Sequence, residues 1–385
     1  MKKKILVLSL IVAVSMLLAS SLFAADITLI IDGVRQNPAV APIVDNGVTL
    51  VPLRLISETL GADVAWDGGK QQATIDTAGY TVVFTIGSQS YTVNGASKSL
   101  TGPAKLVDGS TMVPIRAFAE SIGATVDYNA AANVAAIDYF STMSGDLKVN
   151  GSTTLQPIAQ TAADKLMGMN SKLSITVAGG GSGTGIKDAA AGTVNIGMSS
   201  RELTADELKE LNVYAVANDG IAVIVHPDNP ITNLTVEQAS KLFLGETKNW
   251  ADAGGTTGPV MVMTRETGSG TRATLEEMIL NKESVVETAT PFTSSTLIKQ
   301  AVARDKNAIG FDSIGFVDST VKAVSLDGVA ANASTVIGGS YAMGRQLFCC
   351  TKGRPTGLAA MFIDYLKSAD CQDNIVTSEG YVKLR

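Results

Sequence analysis

The segment "VPLRLISETLGADVAW" at residues 51–66 returns 62 residues later as "VPIRAFAESIGATVDY" at 113–128. A repeat of that length means one supersecondary unit used twice, and its internal order is readable. Each copy opens on an Asn46-Gly47 or Asp108-Gly109 turn, runs through an apolar strand, and enters a short amphipathic helix. Gly61 or Gly123 stands where a residue just past a helix C-terminus belongs, and an alternating strand follows, Asp63 to Trp66 or Thr125 to Tyr128. With further strands such as Tyr80 to Ile86, the two copies make residues 26–140 a compact α+β module. Pro52 and Pro114 suit the start or edge of a strand. Arg54 and Arg116 suit bracing a neighbouring carboxylate or carbonyl, and no catalytic constellation appears in this stretch.

The chain has 385 residues, 45% of them hydrophobic and 17% charged, enough for two or three cored domains. Its first 25 residues have the layout of an export signal. Lys2, Lys3 and Lys4 precede an apolar run from Ile5 to Leu18, and Ala24-Ala25 offers a small-residue cleavage point. The run is shorter than the ~20 residues a spanning helix prefers. No cysteine follows it, so no lipobox cysteine is expected, and the mature chain is expected to begin near Asp26, outside the cytoplasm or at the cell surface. Removing the three lysines leaves 27 basic against 36 acidic residues, net −9 instead of −6, a poor balance for nucleic-acid binding.

His226, in "VIVHPDNP", is the only histidine, which excludes multi-histidine zinc or copper sites; before Pro227 at a strand end it reads as a solvated loop residue. Cys349, Cys350 and Cys371 are too few for a disulfide framework. A single bridge from Cys371 to one of the vicinal pair, or three small apolar fillers, are the two readings. No cofactor and no metal are expected.

Residues 141–145, Ser-Thr-Met-Ser-Gly, form a polar joint, and from Asp146 onward short β-rich runs alternate with helical segments, the pattern of an α/β architecture. Leu173 to Val177, Val194 to Gly197, Ile221 to Val225 and Val260 to Met263 read as strands. Ala159 to Met167, Ala205 to Leu211, Val236 to Phe243 and Arg272 to Ile279 read as helices. Three strand-to-helix turns in this part are rich in Gly, Ser and Thr: "VNGSTTLQP" at 149–157, "AGGGSGTGI" at 178–186 and "TRETGSGTR" at 264–272. A helix N-terminus presents unpaired N–H groups and the positive end of its macrodipole, so such turns suit an oxyanion. Arg265 adds a planar fork able to hold two oxygens. Nucleotide motifs fail here: Gly180 and Gly185 have P-loop spacing, but Ile186 takes the lysine position, and no G-x-S-x-G elbow is present.

Two resemblances follow from these residues. The paired repeat resembles the copper amine oxidase N-terminal-like domain of exported bacterial proteins, which implies a surface or cell-wall-associated accessory module; without a histidine it cannot build an imidazole copper site. The strings "GSTTLQPI", "AGGGSGTGI", "NIGMSSREL", "ANDGIAVIVHPDNP", "LFLGETKNW" and "RETGSGTR" occur in the order found in the phosphate-binding proteins of bacterial ABC phosphate importers, over about residues 146–385. That resemblance implies a type II periplasmic-binding-protein fold. Lobe one would be about 146–218 plus the C-terminal stretch and lobe two about 219–325, with "ANDGIAV" one crossing between them. The implied partners are inorganic phosphate and an ABC phosphate permease in the membrane, with the cell wall a further partner of residues 26–140.

Carried over position by position, the implied ligand donors are Thr153, Thr154 and the Leu155 amide, then Ser182, then Arg265, Ser269, Gly270 and Thr271. Many family members follow the "IG.S" strand end with an aspartate that accepts the phosphate proton, and here Ser199-Ser200-Arg201 stands instead. A carboxylate acceptor favours a protonated anion and repels sulfate. The expectation is that Asp219 supplies the acceptor while Ser200 and Arg201 add donors. Other readings are a receptor for sulfate, molybdate or tungstate and a wall-associated factor acting through the repeat module. Ester hydrolysis by Ser182 or Ser269 lacks a positioned base.

Overall fold

The computed structural model describes residues 27–384, so the expected export signal lies outside the described residues. In the repeat module, the strands Val48–Pro52 and Ser110–Pro114 lie antiparallel with Val51 opposite Val113. These are equivalent positions of the two copies, so the repeats meet about a local two-fold. Pro52 and Pro114 close their strands rather than start them, each occupying the N-cap of the helix that follows, Leu53–Thr59 or Ile115–Ser121. There the missing N–H costs no ladder bond. The strands Val48–Pro52 and Ser110–Pro114 are the centre of a four-stranded sheet, and a second four-stranded sheet and a five-stranded meander, Asp63–Asp67 through Ala96–Ser99, complete the module.

The rest of the chain is organised by one continuous sheet of ten strands. Parallel strands Leu173–Gly179, Gly145–Gly151 and Ile196–Ser199 form one end; Ala308–Ser313, Met261–Arg265 and Thr290–Phe292 form the other. Between them runs the 15-residue strand Leu211–Val225, paired with Gly344–Lys352 through Gly220 and with Ala308–Ser313 from Ile221 onward. That division at Gly220 separates two lobes. Each lobe has its own core, one containing Leu147, Ile158 and Met198, the other Ile224, Phe243 and Phe311. The second core reaches past residue 325 to Tyr341 and Met343, so lobe two extends further along the chain than expected. The expected helix at 205–211 shrinks to one turn, Glu207–Glu210, because Leu211 already belongs to the crossing strand.

The joint at 141–145 is not a free linker. Tyr139 and Phe140 are buried, the turn Phe140–Thr142 is helical, and the first lobe's core is continuous with that of the repeat module. Buried Asp364, on the lobe-one helix Gly357–Lys367, accepts the Ala78 N–H at 2.7 Å and the Tyr139 hydroxyl at 2.9 Å. Lys367 pairs with Asp63 across the same junction. All three cysteines are free and buried, so of the two readings the apolar fillers, not a bridge, describe them.

Candidate functional site

Four helices begin at the seam between the lobes. In the first loop, Ser152 folds back to cap its own turn, its Oγ accepting the N–H of Thr154 at 3.2 Å and of Leu155 at 3.3 Å. The helix Gln156–Met169 follows, with Pro157 in its first turn. The Leu155 amide therefore already has an acceptor, while the hydroxyls of Thr153 and Thr154 point across the seam. Thr154 Oγ1 lies 3.0 Å from Thr271 Oγ1 of the opposite lobe.

In the second loop Gly181, at φ 82°, brings the chain into the helix Ser182–Ala191, so that Ser182 is its first residue. Ser182 Oγ accepts the Ser200 N–H at 3.0 Å and lies 3.2 Å from Ser200 Oγ. The neighbouring Gly183 N–H donates across the seam to the Gly268 carbonyl at 2.9 Å. In the third loop Ser269 is the N-cap of Gly270–Met278, its Oγ accepting the Arg272 N–H. Gly270 is pressed against Ser182 and Ser200, with no room for a side chain.

Arg265 ends its strand with only 1% of its surface exposed. It donates to Thr153 Oγ1 at 3.1 Å, Ser295 Oγ at 3.3 Å and the Phe292 carbonyl at 3.1 Å, and pairs with Glu266 at 3.1 Å. Its side chain is thus held by residues of both lobes.

Ser295 was not singled out from the sequence. It opens the helix Ser295–Val302, capped by Ser294, and its N–H reaches Thr153 Oγ1 at 3.4 Å. The signal was present in "TSST" before an amphipathic run, an N-cap signature without the glycines that marked the other loops. Arg345 was also missed. It lies in register opposite Asp219 and donates to that carboxylate through Nε at 3.0 Å and Nη2 at 2.8 Å. It also reaches the Ser200 carbonyl at 2.9 Å and Thr271 Oγ1 at 3.2 Å.

Two expected roles look different in place. Arg201 turns away from the cluster: its guanidinium makes two 2.8 Å bonds to Glu207, which it holds below the usual carboxylate range. Asp219 is fully buried at the seam, but its oxygens are occupied, Oδ1 by the Ser313 hydroxyl at 2.6 Å and Oδ2 by Arg345. Burial raises its pKa, opposed by Arg345. A further buried carboxylate at the seam is Asp312, also missed; burial pushes it up to about 7, with the Ser295 hydroxyl, the Ser313 amide and the Arg265 charge opposing the shift. His226 stands apart, its Nδ1 accepting the Asp228 N–H.

The whole constellation is buried. Convergent amides, hydroxyls and the guanidinium groups of Arg265 and Arg345 in a water-excluding seam offer many donors to one small anion. No group of three or more His, Cys, Asp or Glu side chains is placed to hold a metal among the described residues.

Comparison with known proteins agrees with this chemistry. Residues 115–370 match the PBP superfamily domain, and residues 30–137 match the copper amine oxidase N-terminal domain. The phosphate-binding protein PstS of Bacillus subtilis is 37% identical over 245 residues, covering 63% of this chain and 81% of that protein. A crystal structure with bound phosphate, assigned as a phosphate ABC transporter substrate-binding protein from Clostridium perfringens, is 34% identical. It covers 63% of this chain and 100% of its own, with a TM-score of 0.60. An ABC-type phosphate transport receptor from Vibrio cholerae is 30% identical, covering 61% of this chain and 99% of its own, with a TM-score of 0.53.

Proposed function

The chain belongs to the PBP superfamily and, within it, to the phosphate-binding proteins, and on that premise we propose that it is an extracytoplasmic receptor that binds inorganic phosphate and presents it to an ABC importer. The observation that carries this reading is the convergence of four helix N-termini and the buried Arg265 at one closed seam. The donors to the anion are Thr153, Thr154, Ser182, Ser200, Arg265, Ser269, Gly270 and Thr271, joined by Ser295. Asp219 orients Arg345. No helix among the described residues is long and apolar enough to cross a membrane. We assign retention near a permease to the repeat module, whose core is continuous with that of lobe one, so that the module travels with that lobe.

Calorimetric titration of the anion-stripped mature chain with phosphate, sulfate and molybdate at pH 6 and pH 8 tests the reading. One-to-one phosphate binding with Kd near ~1 μM, about −8 kcal/mol, is expected. Tighter sulfate or molybdate binding would change the substrate, and no binding would refute the receptor assignment.

A further inference from the structure

Just past the strand Ile196–Ser199 the seam presents the hydroxyl of Ser200 rather than a carboxylate. A hydroxyl rotates to donate or to accept, so Ser200 serves a protonated and an unprotonated anion alike. Selection between them needs a fixed acceptor. Asp219 has committed both oxygens, to Ser313 and Arg345.

Asp312 has not. It sits on the strand Ala308–Ser313, 1% exposed, with Oδ1 accepting the Ser313 N–H at 2.9 Å and Oδ2 left without any hydrogen-bond partner. Native proteins seldom leave a buried carboxylate oxygen unpaired, and such a group calls for a donor from elsewhere. Its surroundings are those of the anion seam. Ser295, whose amide reaches Thr153, interacts with the carboxyl, and the Arg265 guanidinium attracts it. The other charged or titratable groups facing it are Asp219 with its Arg345 partner, and Tyr381, whose hydroxyl donates to the Thr154 carbonyl at 2.6 Å.

Building on the receptor reading, we infer that Asp312 Oδ2 is the specificity-determining acceptor, taking the O–H of a protonated tetrahedral oxyanion held by Arg265 and Ser295. Hydrogenphosphate and hydrogenarsenate bring that proton; sulfate and selenate bring none and meet a carboxylate oxygen lone pair instead.

The test is calorimetry of the full mature chain at pH 8 with phosphate, arsenate, sulfate and selenate, for the wild type, Asp312→Asn and Asp219→Asn. The wild type is expected to prefer phosphate and arsenate by at least about 100-fold. In Asp312→Asn, phosphate and arsenate weaken, sulfate and selenate strengthen, and the preference falls to within about 10-fold. Asp219→Asn, which releases Arg345, weakens all four together. An Asp312→Asn protein that keeps the wild-type preference overturns the inference and leaves the receptor reading standing, as does loss of preference confined to Asp219→Asn. A wild type that binds none of the four removes both. Should Asp312→Asn fail to fold by thermal melting, the smaller Asp312→Ser carries the same comparison.

Discussion

Substituting Gly270 by alanine tests whether closure of the seam creates the binding site. Gly270 has ordinary helical backbone, so alanine introduces no local strain; at a helix start it is neutral or favourable by up to ~1 kcal/mol. All of the cost arises across the seam. The new methyl would stand 2.6 Å from Ser200 Oγ and 3.1 Å from Ser182 Cβ, and closer still to Ser182 Oγ. Ordinary carbon contacts begin near ~3.5 Å, so the lobes must part by about 1 Å at this point. Turning the two hydroxyls aside gives up their mutual hydrogen bonds, and Ser182 Cβ, at the head of its helix, cannot turn with them. The contacts placed at risk are Gly183 N–H to Gly268 O at 2.9 Å, Thr154 to Thr271 at 3.0 Å and Arg265 to Thr153 at 3.1 Å. At ~0.5–1.5 kcal/mol each, their loss amounts to roughly 2–4 kcal/mol, or about 30- to 1,000-fold in affinity. Calorimetry with phosphate should show that weakening, while the melting temperature of the anion-free protein stays unchanged or rises. Near wild-type affinity in a well-folded Gly270→Ala protein would refute the argument that the closed seam is the bound state.

Gly61→Ala attacks the other junction. At φ 85° its Cβ would overlap the Asp364 carbonyl oxygen and approach Ser368 N to 2.9 Å, so the variant should loosen the repeat module from lobe one, seen as faster limited proteolysis near residues 139–145, with phosphate affinity within threefold of wild type. Asp364 is pushed up to about 7 by burial, as is Asp312, and Asp32 to about 6. The folded chain therefore holds more protons than the unfolded one between about pH 4 and pH 7, so the melting temperature of the anion-free protein should fall as pH rises through that window and level off above it, with Asp364→Asn flattening part of the slope. An unaltered slope in that variant would show that the junction carboxyl is not the source. The thiols of Cys350 and Cys371 are pushed up to about 12 by burial, and Cys349 higher still. All three should resist alkylation in the native protein at pH 8 and react fully in denaturant without reductant; any thiol shortfall in denaturant would reveal a bridge.

What the sequence disclosed depended on how local each signal was. The three loops were legible as helix starts because glycine and hydroxyl residues there act within one turn of chain. Ser295 carries the same local chemistry without glycine, and so escaped a reading tuned to glycine-rich turns. Arg345 and Asp312 escaped for another reason: each is a charge in a largely apolar strand, and its meaning comes from pairing with a strand far away in sequence, Asp219 for Arg345 and Ala222 for Asp312. Arg201 shows the converse, a cation placed beside the loop in sequence but drawn off by Glu207 six residues on. The repeats were legible as units, whereas their antiparallel meeting at Val51 and Val113 required the sheet register.

The ion pair of Asp219 and Arg345 bears on how the halves of the site are kept in register. Both residues lie on the strands that run between the lobes, directly opposite one another, where the side chains are at most 4% exposed. Two charges taken out of water repay their desolvation only with good geometry, so such a pair is weak evidence of added stability. Its geometry has a different consequence. With Asp219 holding two of its donors, Arg345 has a fixed direction, and its remaining bonds reach the Ser200 carbonyl of lobe one and Thr271 of lobe two. Asp219 is itself fixed by Ser313, the residue after Asp312 on the lobe-two strand. One buried pair thus ties the serine strand end, the third anion loop and the strand bearing the orphan carboxyl to the crossing point, so closure brings all three to the anion in a single register.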